Sequence, residues 1–303
     1  TMINQCDDIN FINIASPAAS HHFSPVPDKS QHKIDMGMSP DSMIIGTVMR
    51  NQRRKLYPDL MQSFRRFLDE VQDPNCFLYC HTYYPDVGWD LPNLIYENGL
   101  SNRLLMTYKC KKCGNISVDF FKDAVTICNK CNSFSNAIVG IQNPIDEKEL
   151  SKIYNCFDIY VQYANSEGFG MPQLEAAHCA LPVISTDYSA MHSVIKNIGG
   201  YGVTPSQYYV ECETGCKRAI PNNDAFVNLL KQLHKNKHSL NKIGNQVREN
   251  ALNNYSWDKA ADAWAKHFKT IEPKDPAKTW HSPINAPEPA TNMLQNPRSI
   301  TDS

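Results

Sequence analysis

Two carboxylates, Glu167 and Glu175, stand eight positions apart in the stretch SEGFGMPQLE, with Gly168 and Gly170 between them and Pro172 where a helix would begin. Glycines admit positive φ and let a ligand approach the backbone, and proline suits the first turn of a helix. A helix start presents free N–H groups and the positive end of its dipole, which together attract an anion such as phosphate. Carboxylates beside such a turn accept hydrogen bonds from a hydroxyl-rich ligand. Upstream, RNQRRK runs from Arg50 to Lys55 and offers the positive charge that phosphates require. Taken singly, Glu175 would merely complement a helix dipole, Glu167 would be a solvated loop acid, and the basic residues would be surface charge. Together at one edge of one sheet they make a site for a phosphorylated, hydroxyl-rich ligand.

A second constellation carries different chemistry. Cys110 and Cys113 form one C-x2-C pair and Cys128 and Cys131 another, with 14 residues between the pairs. That spacing matches a zinc ribbon, in which two tight turns bring four thiolates to a tetrahedral ion. A closed four-sulfur site leaves no open coordination position, so its zinc is structural rather than catalytic. Iron in the same all-sulfur geometry is the alternative. Cys6, Cys76, Cys80, Cys156 and Cys179 read as small core residues or free thiols, and Cys212 with Cys216, lacking a second pair, is assigned no metal.

The elements that must hold these residues follow from periodicity. SMIIGTVMR reads as a strand, and YPDLMQSFRRFLDEV as a helix with Leu60, Phe64, Phe67 and Leu68 at helical spacing. NCFLYCHTYY, RLLMTY, AIVGIQ, DIYVQYA and LPVISTD read as further strands, separated by the helical patterns LPNLIYENGL, DEKELSKIYNCF and PQLEAAHCA. Such alternation predicts an α/β fold: a Rossmann-like parallel sheet with helices on both faces, interrupted after RLLMTY by the cysteine segment. The sheet is expected to end near Val203 or Tyr209, and three helices follow, the last capped by Ser256. In an open parallel sheet ligands bind outside the carboxyl ends of the strands. The RNQRRK loop and the glycine turn both fall there. His81, Trp89 and Asp90 lie in the loop after the second strand, either bordering the cleft or packing on their own aromatic neighbours. Asp187 and Ser189 follow LPVIST and are weaker candidates; His192 is uninformative by itself.

Bulk properties exclude more than they assign. The chain has 303 residues, 42% hydrophobic, with a formal net charge of −1. This is an ordinary globular composition without the basic excess that marks nucleic acid as the main partner. No apolar run reaches the roughly 18 to 20 residues of a membrane span, and no secretory leader pattern is visible near the start, which points to the cytoplasm. The lysines of the cysteine segment, with Phe120 and Phe121, would suit a nucleic-acid backbone, but the neutral charge weighs against it. Residues 272–303 are proline-rich and polar and are expected to be a disordered tail.

These residues carry a resemblance. NSEGFGMPQLEAAHCALPVISTD resembles the Glu-x7-Glu signature of retaining GT-B glycosyltransferases, in particular the glycosyltransferase 4 (glycosyl transferases group 1) family. GTVMRNQRRKLYPDLMQSF is similar to the first strand, Arg-x4-Lys loop and helix of that family's C-terminal domain. NPIDEKELSKIYNCFDIYVQYA and NYSWDKAADAWAKHF resemble its lead-in segment and closing helix. The resemblance implies a donor-binding domain over 44–271, with a zinc-ribbon insertion at 108–134 and the tail at 272–303. Residues 1–43 would be the end of an N-terminal, acceptor-binding domain and its linker, the rest of that domain lying outside this chain. It implies that Arg50 and Lys55 bind the diphosphate of a UDP-, GDP- or ADP-sugar in place of a divalent metal. Glu167 would contact the sugar, backbone groups of Gly168, Phe169, Gly170, Met171 and Pro172 would meet phosphate and sugar, and Glu175 would hold the ribose. The acceptor, whether glycan, lipid or protein, is left open. Where the family often has glycine after the loop lysine, Leu56 follows Lys55, which makes Arg54 a substitute for the phosphate ligand. The alternative function is an inactive nucleotide-sugar-binding module that docks a partner through the ribbon.

Overall fold

The computed structural model describes residues 17–271, so Cys6, the first part of the 1–43 segment and the proline-rich stretch 272–303 lie outside the described residues. Described residues 17–260 form one compact unit, and those from 261 onward belong to a second. In chain order the elements are α1 (Lys29–Asp35), β1 (Met43–Val48), α2 (Tyr57–Val71), β2 (Cys76–His81), α3 (Leu91–Glu97) and β3 (Leu104–Cys110). Then come β4 (Ile116–Phe120), β5 (Thr126–Ile127), β6 (Phe134–Ile138), α4 (Glu147–Tyr154), β7 (Ile159–Gln162), α5 (Met171–His178), β8 (Val183–Thr186), α6 (Ala190–Ile198) and β9 (Tyr201–Val203). The described residues finish with β10 (Pro205–Val210), β11 (Lys217–Pro221), α7 (Asn223–Lys235), α8 (Leu240–Asn254) and α9 (Trp257–Thr270).

The central strands are parallel and lie in the order β3-β2-β1-β7-β8-β9. From β1 the chain winds outward through β2 to β3, then returns to β7 on the other side of β1 and winds outward again. The reversal between β1 and β7 is a topological switch point, the place where an open parallel sheet leaves a crevice at its carboxyl edge.

Strand side chains alternate between two cores because successive Cβ atoms point to opposite faces. Ile45, Leu78, Met106 and Val161 join Phe64, Phe67 and Phe226 of α2 and α7 on one face. Ile44, Tyr79, Tyr160 and Val183 join Tyr154, Leu174, Val194 and Val247 of α4, α5, α6 and α8 on the other. This is the expected Rossmann-like sheet with helices on both faces. Residues before β1 pack on it as well: Phe23 meets Tyr154 edge-on at 5.7 Å, and the buried Lys33 ammonium reaches Asp158 at 2.7 Å and donates to the Ser42 carbonyl.

Two stretches differ from the sequence expectation. AIVGIQ is not a parallel strand: β6 covers Phe134–Ile138 and runs antiparallel to β3, pairing Tyr108 with Ile138 and Cys110 with Asn136. The expected insertion therefore extends the main sheet, since β3 outruns β2 and its free length is flanked by β4 and β6. The sheet stops at Val203, and the residues through Pro221 make a separate antiparallel hairpin, β10–β11.

Gly46 allows the two halves to close. A Cβ there would lie 2.1 Å from the Phe157 ring, which is fully buried and wedged edge-on against Tyr79 at 5.1 Å. Gly46→Ala should therefore lower unfolding stability by about 1–3 kcal/mol, seen as a lower urea midpoint at unchanged m-value. An unaltered midpoint would show that the ring can move aside.

Candidate functional site

The loops after β1 and β7 meet at the switch point and are joined through the backbone. Leu56 N donates to the Tyr163 carbonyl at 3.0 Å and Asn165 N donates to the Arg54 carbonyl at 3.0 Å. These bonds bring the basic loop to the glycine turn. Lys55 and Glu167 have side chains only 6% and 8% exposed and are in direct contact. Arg54 Nη1 donates to Glu167 Oε2 at 2.6 Å and to the Ser166 carbonyl at 3.2 Å, and Gln162 Nε2 donates to Glu167 Oε1 at 2.7 Å. Burial, with the positive Arg54 beside it, pulls the Lys55 ammonium down from its usual value to about 7.

A second layer holds the basic loop. Asn51 is fully buried; its amide nitrogen donates to the Trp89 carbonyl at 2.8 Å and its oxygen accepts from Trp89 N at 2.9 Å. Trp89 Nε1 donates to the Lys55 carbonyl at 2.7 Å. Gly88 permits this approach, because a Cβ there would lie 2.3 Å from Asn51 Oδ1. Arg50 is turned to the same loop: its Nε and Nη2 reach Asp86 at 2.8 and 3.0 Å, and the pairing raises the guanidinium pKa and lowers that of the carboxyl.

The glycine turn has the form its sequence suggested, with one correction. Gly170 takes φ +91 and caps α5, whereas Gly168 does not adopt positive φ. Among the described residues, the N–H groups of Gly168, Phe169, Gly170 and Met171 donate to no protein atom; Gln173 N, the next donor after Pro172, bonds the Gly170 carbonyl. Gly170 and Met171 supply orphan donors of the helix start, and Gly168 and Phe169 add free N–H groups from the loop before it, so that together they suit an anion. Glu167 N and its carbonyl are both engaged by Ser189 Oγ, at 3.0 and 3.3 Å. Glu175 is half-buried; Tyr154 OH donates to its Oε2 at 2.6 Å, and burial raises its pKa. Gln173 is fully buried beneath Gly170 with neither amide atom partnered.

The site thus joins Lys55, Glu167 and the glycine turn, and pairs Arg50 with Asp86 instead of Glu167; Arg54 occupies the place beside Glu167. Trp89 braces the Lys55 loop, while Asp90 serves as the N-cap of α3. His81 bonds Thr107 through Nδ1 at 2.8 Å and is lowered by burial to about 4. Asp187 pairs with His192 at 2.6 Å. Sequence reasoning passed over Gln162, Tyr154 and Gln173; a lone glutamine on a strand or helix carries no spacing signal, and only the three-dimensional contacts single it out.

The four cysteines form two matching turns. Gly114 N donates to the Cys110 carbonyl and Asn132 N to the Cys128 carbonyl, at 2.8 and 2.9 Å, with Gly114 and Asn132 both left-handed at φ +72 and +54. The four sulfurs lie within 4.8 Å of one another, Cys110 to Cys131 at 3.6 Å and Cys113 to Cys128 at 3.7 Å. A tetrahedral ion with metal–sulfur bonds of ~2.3 Å sets its sulfurs ~3.8 Å apart, so the donor set fits zinc or iron. The Ser135 hydroxyl, 3.1 Å from Cys110 Sγ, is the main influence holding that thiol down, to about 5, and Ser133 acts similarly on Cys131. Asp73, Cys76 and His234 also cluster within 4.8 Å, but at the opposite edge, where Asp73 already pairs with His234 at 2.9 Å and burial pushes the Cys76 thiol up to about 12.

The Rossmann-like sheet has the fold found in part of GT-B glycosyltransferase structures, and solved ones superpose on it. Sucrose-phosphate synthase (tll1590) from Thermosynechococcus elongatus matches with TM-score 0.58 and 17% identity over 84% of this chain and 51% of its own. The Anabaena Alr3699/HepE structure, in complex with UDP and glucose, matches with TM-score 0.57 and 12% identity over 85% of this chain and 56% of its own. The chain thus spans about half the length of these two. It covers 96% of the C-terminal domain of LpcC, a glycosyl transferase group 1 family protein from Francisella tularensis, with TM-score 0.52 and 18% identity over 78% of this chain. Residues 135–250 match the family model described as glycosyl transferases group 1, so the resemblance carried by the glycine turn and its flanks holds over that segment. No curated protein matches the sequence. No helix among the described residues is long and apolar enough to cross a membrane.

Metal analysis of the purified chain should find about one tightly held zinc or iron per molecule, and Cys110→Ser should release it together with local stability of the ribbon. Full metal content in that variant would exclude the four-sulfur site.

Proposed function

We propose that the chain is the donor-binding part of a retaining glycosyltransferase that transfers a sugar from a UDP-, GDP- or ADP-sugar to an acceptor. The observation that carries this reading is the meeting of Lys55, Arg54 and Glu167 with the unpartnered N–H groups of the glycine turn at the switch point. Residues 44–271 would be the donor domain, the ribbon its structural metal centre, and an N-terminal domain beyond this chain the acceptor side. The cytoplasmic setting read from the sequence belongs to the same proposal.

Lys55 and Arg54, joined by Arg50, supply positive charge to the diphosphate, and the N–H groups from Gly168 to Met171 meet its oxygens. As the bond between sugar and diphosphate breaks, negative charge grows on the leaving group, and fixed cations there lower the barrier. Glu167 accepts from the sugar hydroxyls, and the second oxygen of Glu175 accepts from the ribose.

Calorimetry with UDP, GDP and ADP provides the test: one of them should bind, and binding to none would sink the donor-site reading. The pH dependence follows from Lys55. Its pKa is lowered to about 7 in the free protein, so below pH 7 the ammonium is present and binding is full. Above it, affinity for a nucleotide-sugar, whose esterified phosphates do not titrate there, should fall by up to about tenfold per pH unit. In Lys55→Arg the fall should vanish, since arginine stays charged.

A further inference from the structure

The β10–β11 hairpin was not anticipated from the sequence, and it lies against the glycine turn. Ala219 N donates to the Asn165 carbonyl at 3.1 Å, Asn165 Nδ2 to Tyr209 OH at 2.8 Å, and Tyr188 OH to the Lys217 carbonyl at 2.9 Å. Through these bonds Arg218 reaches the site. Its Nη1 donates to Ser166 Oγ at 2.6 Å, while Nε and Nη2 are held by Glu211 Oε2 at 3.2 and 2.6 Å. Arg54 approaches the same residue from the other side, donating to the Ser166 carbonyl.

We propose that Arg218 and Arg54 form an anion clamp across Ser166, so that the hairpin supplies a further phosphate-binding cation to the site; only the identity of the phosphate as a nucleotide-sugar diphosphate rests on the donor-site reading. Both guanidiniums are fixed on Ser166, and an anion between two such cations is favoured. Burial first and Arg218 second lower the Arg54 pKa, while the Glu211 carboxylate raises that of Arg218. Each already has one carboxylate, Glu167 for Arg54 and Glu211 for Arg218, which positions it without occupying all of its five donors. Glu211 belongs to the hairpin and is anchored in turn by Thr214, so Arg218 is preset before any ligand arrives. The planar fork suits two phosphate oxygens at once.

Calorimetry on the whole chain with inorganic pyrophosphate, with UDP, GDP and ADP, and with the corresponding nucleosides tests this. Arg218→Gln should lose about tenfold or more in affinity for pyrophosphate and for whichever nucleotide binds, with nucleoside affinity unchanged. Wild-type pyrophosphate affinity in that variant overturns the clamp, and so does an equal loss for pyrophosphate and nucleoside, which marks Arg218 as structural only. Should Arg218→Gln fail to fold, Arg218→Lys decides: it keeps the charge and loses the fork, so a several-fold loss for pyrophosphate alone supports the clamp and unchanged affinity overturns it. A wild-type chain that binds pyrophosphate but no nucleotide refutes the donor-site reading and leaves the clamp standing. One that binds neither refutes the clamp as well.

Discussion

The contact between Lys55 and Glu167 is the constraint on which the site depends. Taking two charges out of water costs several kcal/mol for each ion, and the cost is recovered only when geometry is good and further hydrogen bonds complete the pair. Here Arg54 and Gln162 complete it. The pair exists because β1 and β7 are neighbours, and two backbone hydrogen bonds fix the register of the loops that leave them. A slip of one residue in either loop would bury one charge without the other. The loop therefore tolerates little freedom, and the Asn51 and Trp89 exchange of hydrogen bonds holds it from behind.

That support extends further than the first loop. Residues 82–90, which present Trp89 and Asp86 to the basic loop, are themselves packed against the cysteine ribbon and the stretch that follows β6. Tyr84 meets Phe121 edge-on at 6.0 Å, and Gly140 lies so close to Tyr83 that a Cβ would come within 2.1 Å of its ring. The ribbon continues β3 past the end of β2, and so it rises above the carboxyl edge on the same side as the site. An ion at the four sulfurs would stiffen the two turns that carry β4 and β6, and hence the surface on which the 82–90 loop rests.

Much of this was legible in the chain because the signals are local. Two C-x2-C pairs announce their turns, and left-handed Gly114 and Asn132 complete each one in the same way. The β-α-β alternation gives the parallel sheet, and the proline after two glycines marks the start of α5. What the sequence hides is long-range. Arg50, Arg53 and Arg54 are indistinguishable as letters, and the choice between them depends on which loop approaches from across the sheet: Asp86 takes Arg50 and Glu167 takes Arg54. AIVGIQ looks like any buried strand, since periodicity carries no direction, and only the pairing of β6 with β3 makes it antiparallel. The hairpin escaped notice because YYVECETGCKRAI alternates imperfectly and its faces stay largely in solvent.

The two carboxylates that frame the glycine turn are in unlike environments, and this orders their roles. Glu167 is committed to three donors, Lys55, Arg54 and Gln162, and has little capacity left for a hydroxyl. Glu175 spends one oxygen on Tyr154 and is shielded enough for its pKa to rise, so a second hydrogen bond to its remaining oxygen would be strong. A phosphate entering beside Lys55 and Arg54 competes with Glu167 for the same cations. Whatever donors it draws away leave carboxylate oxygens free to accept from a sugar. In the proposed donor site, phosphate binding and hydroxyl binding at this turn would therefore be linked through one shared carboxylate.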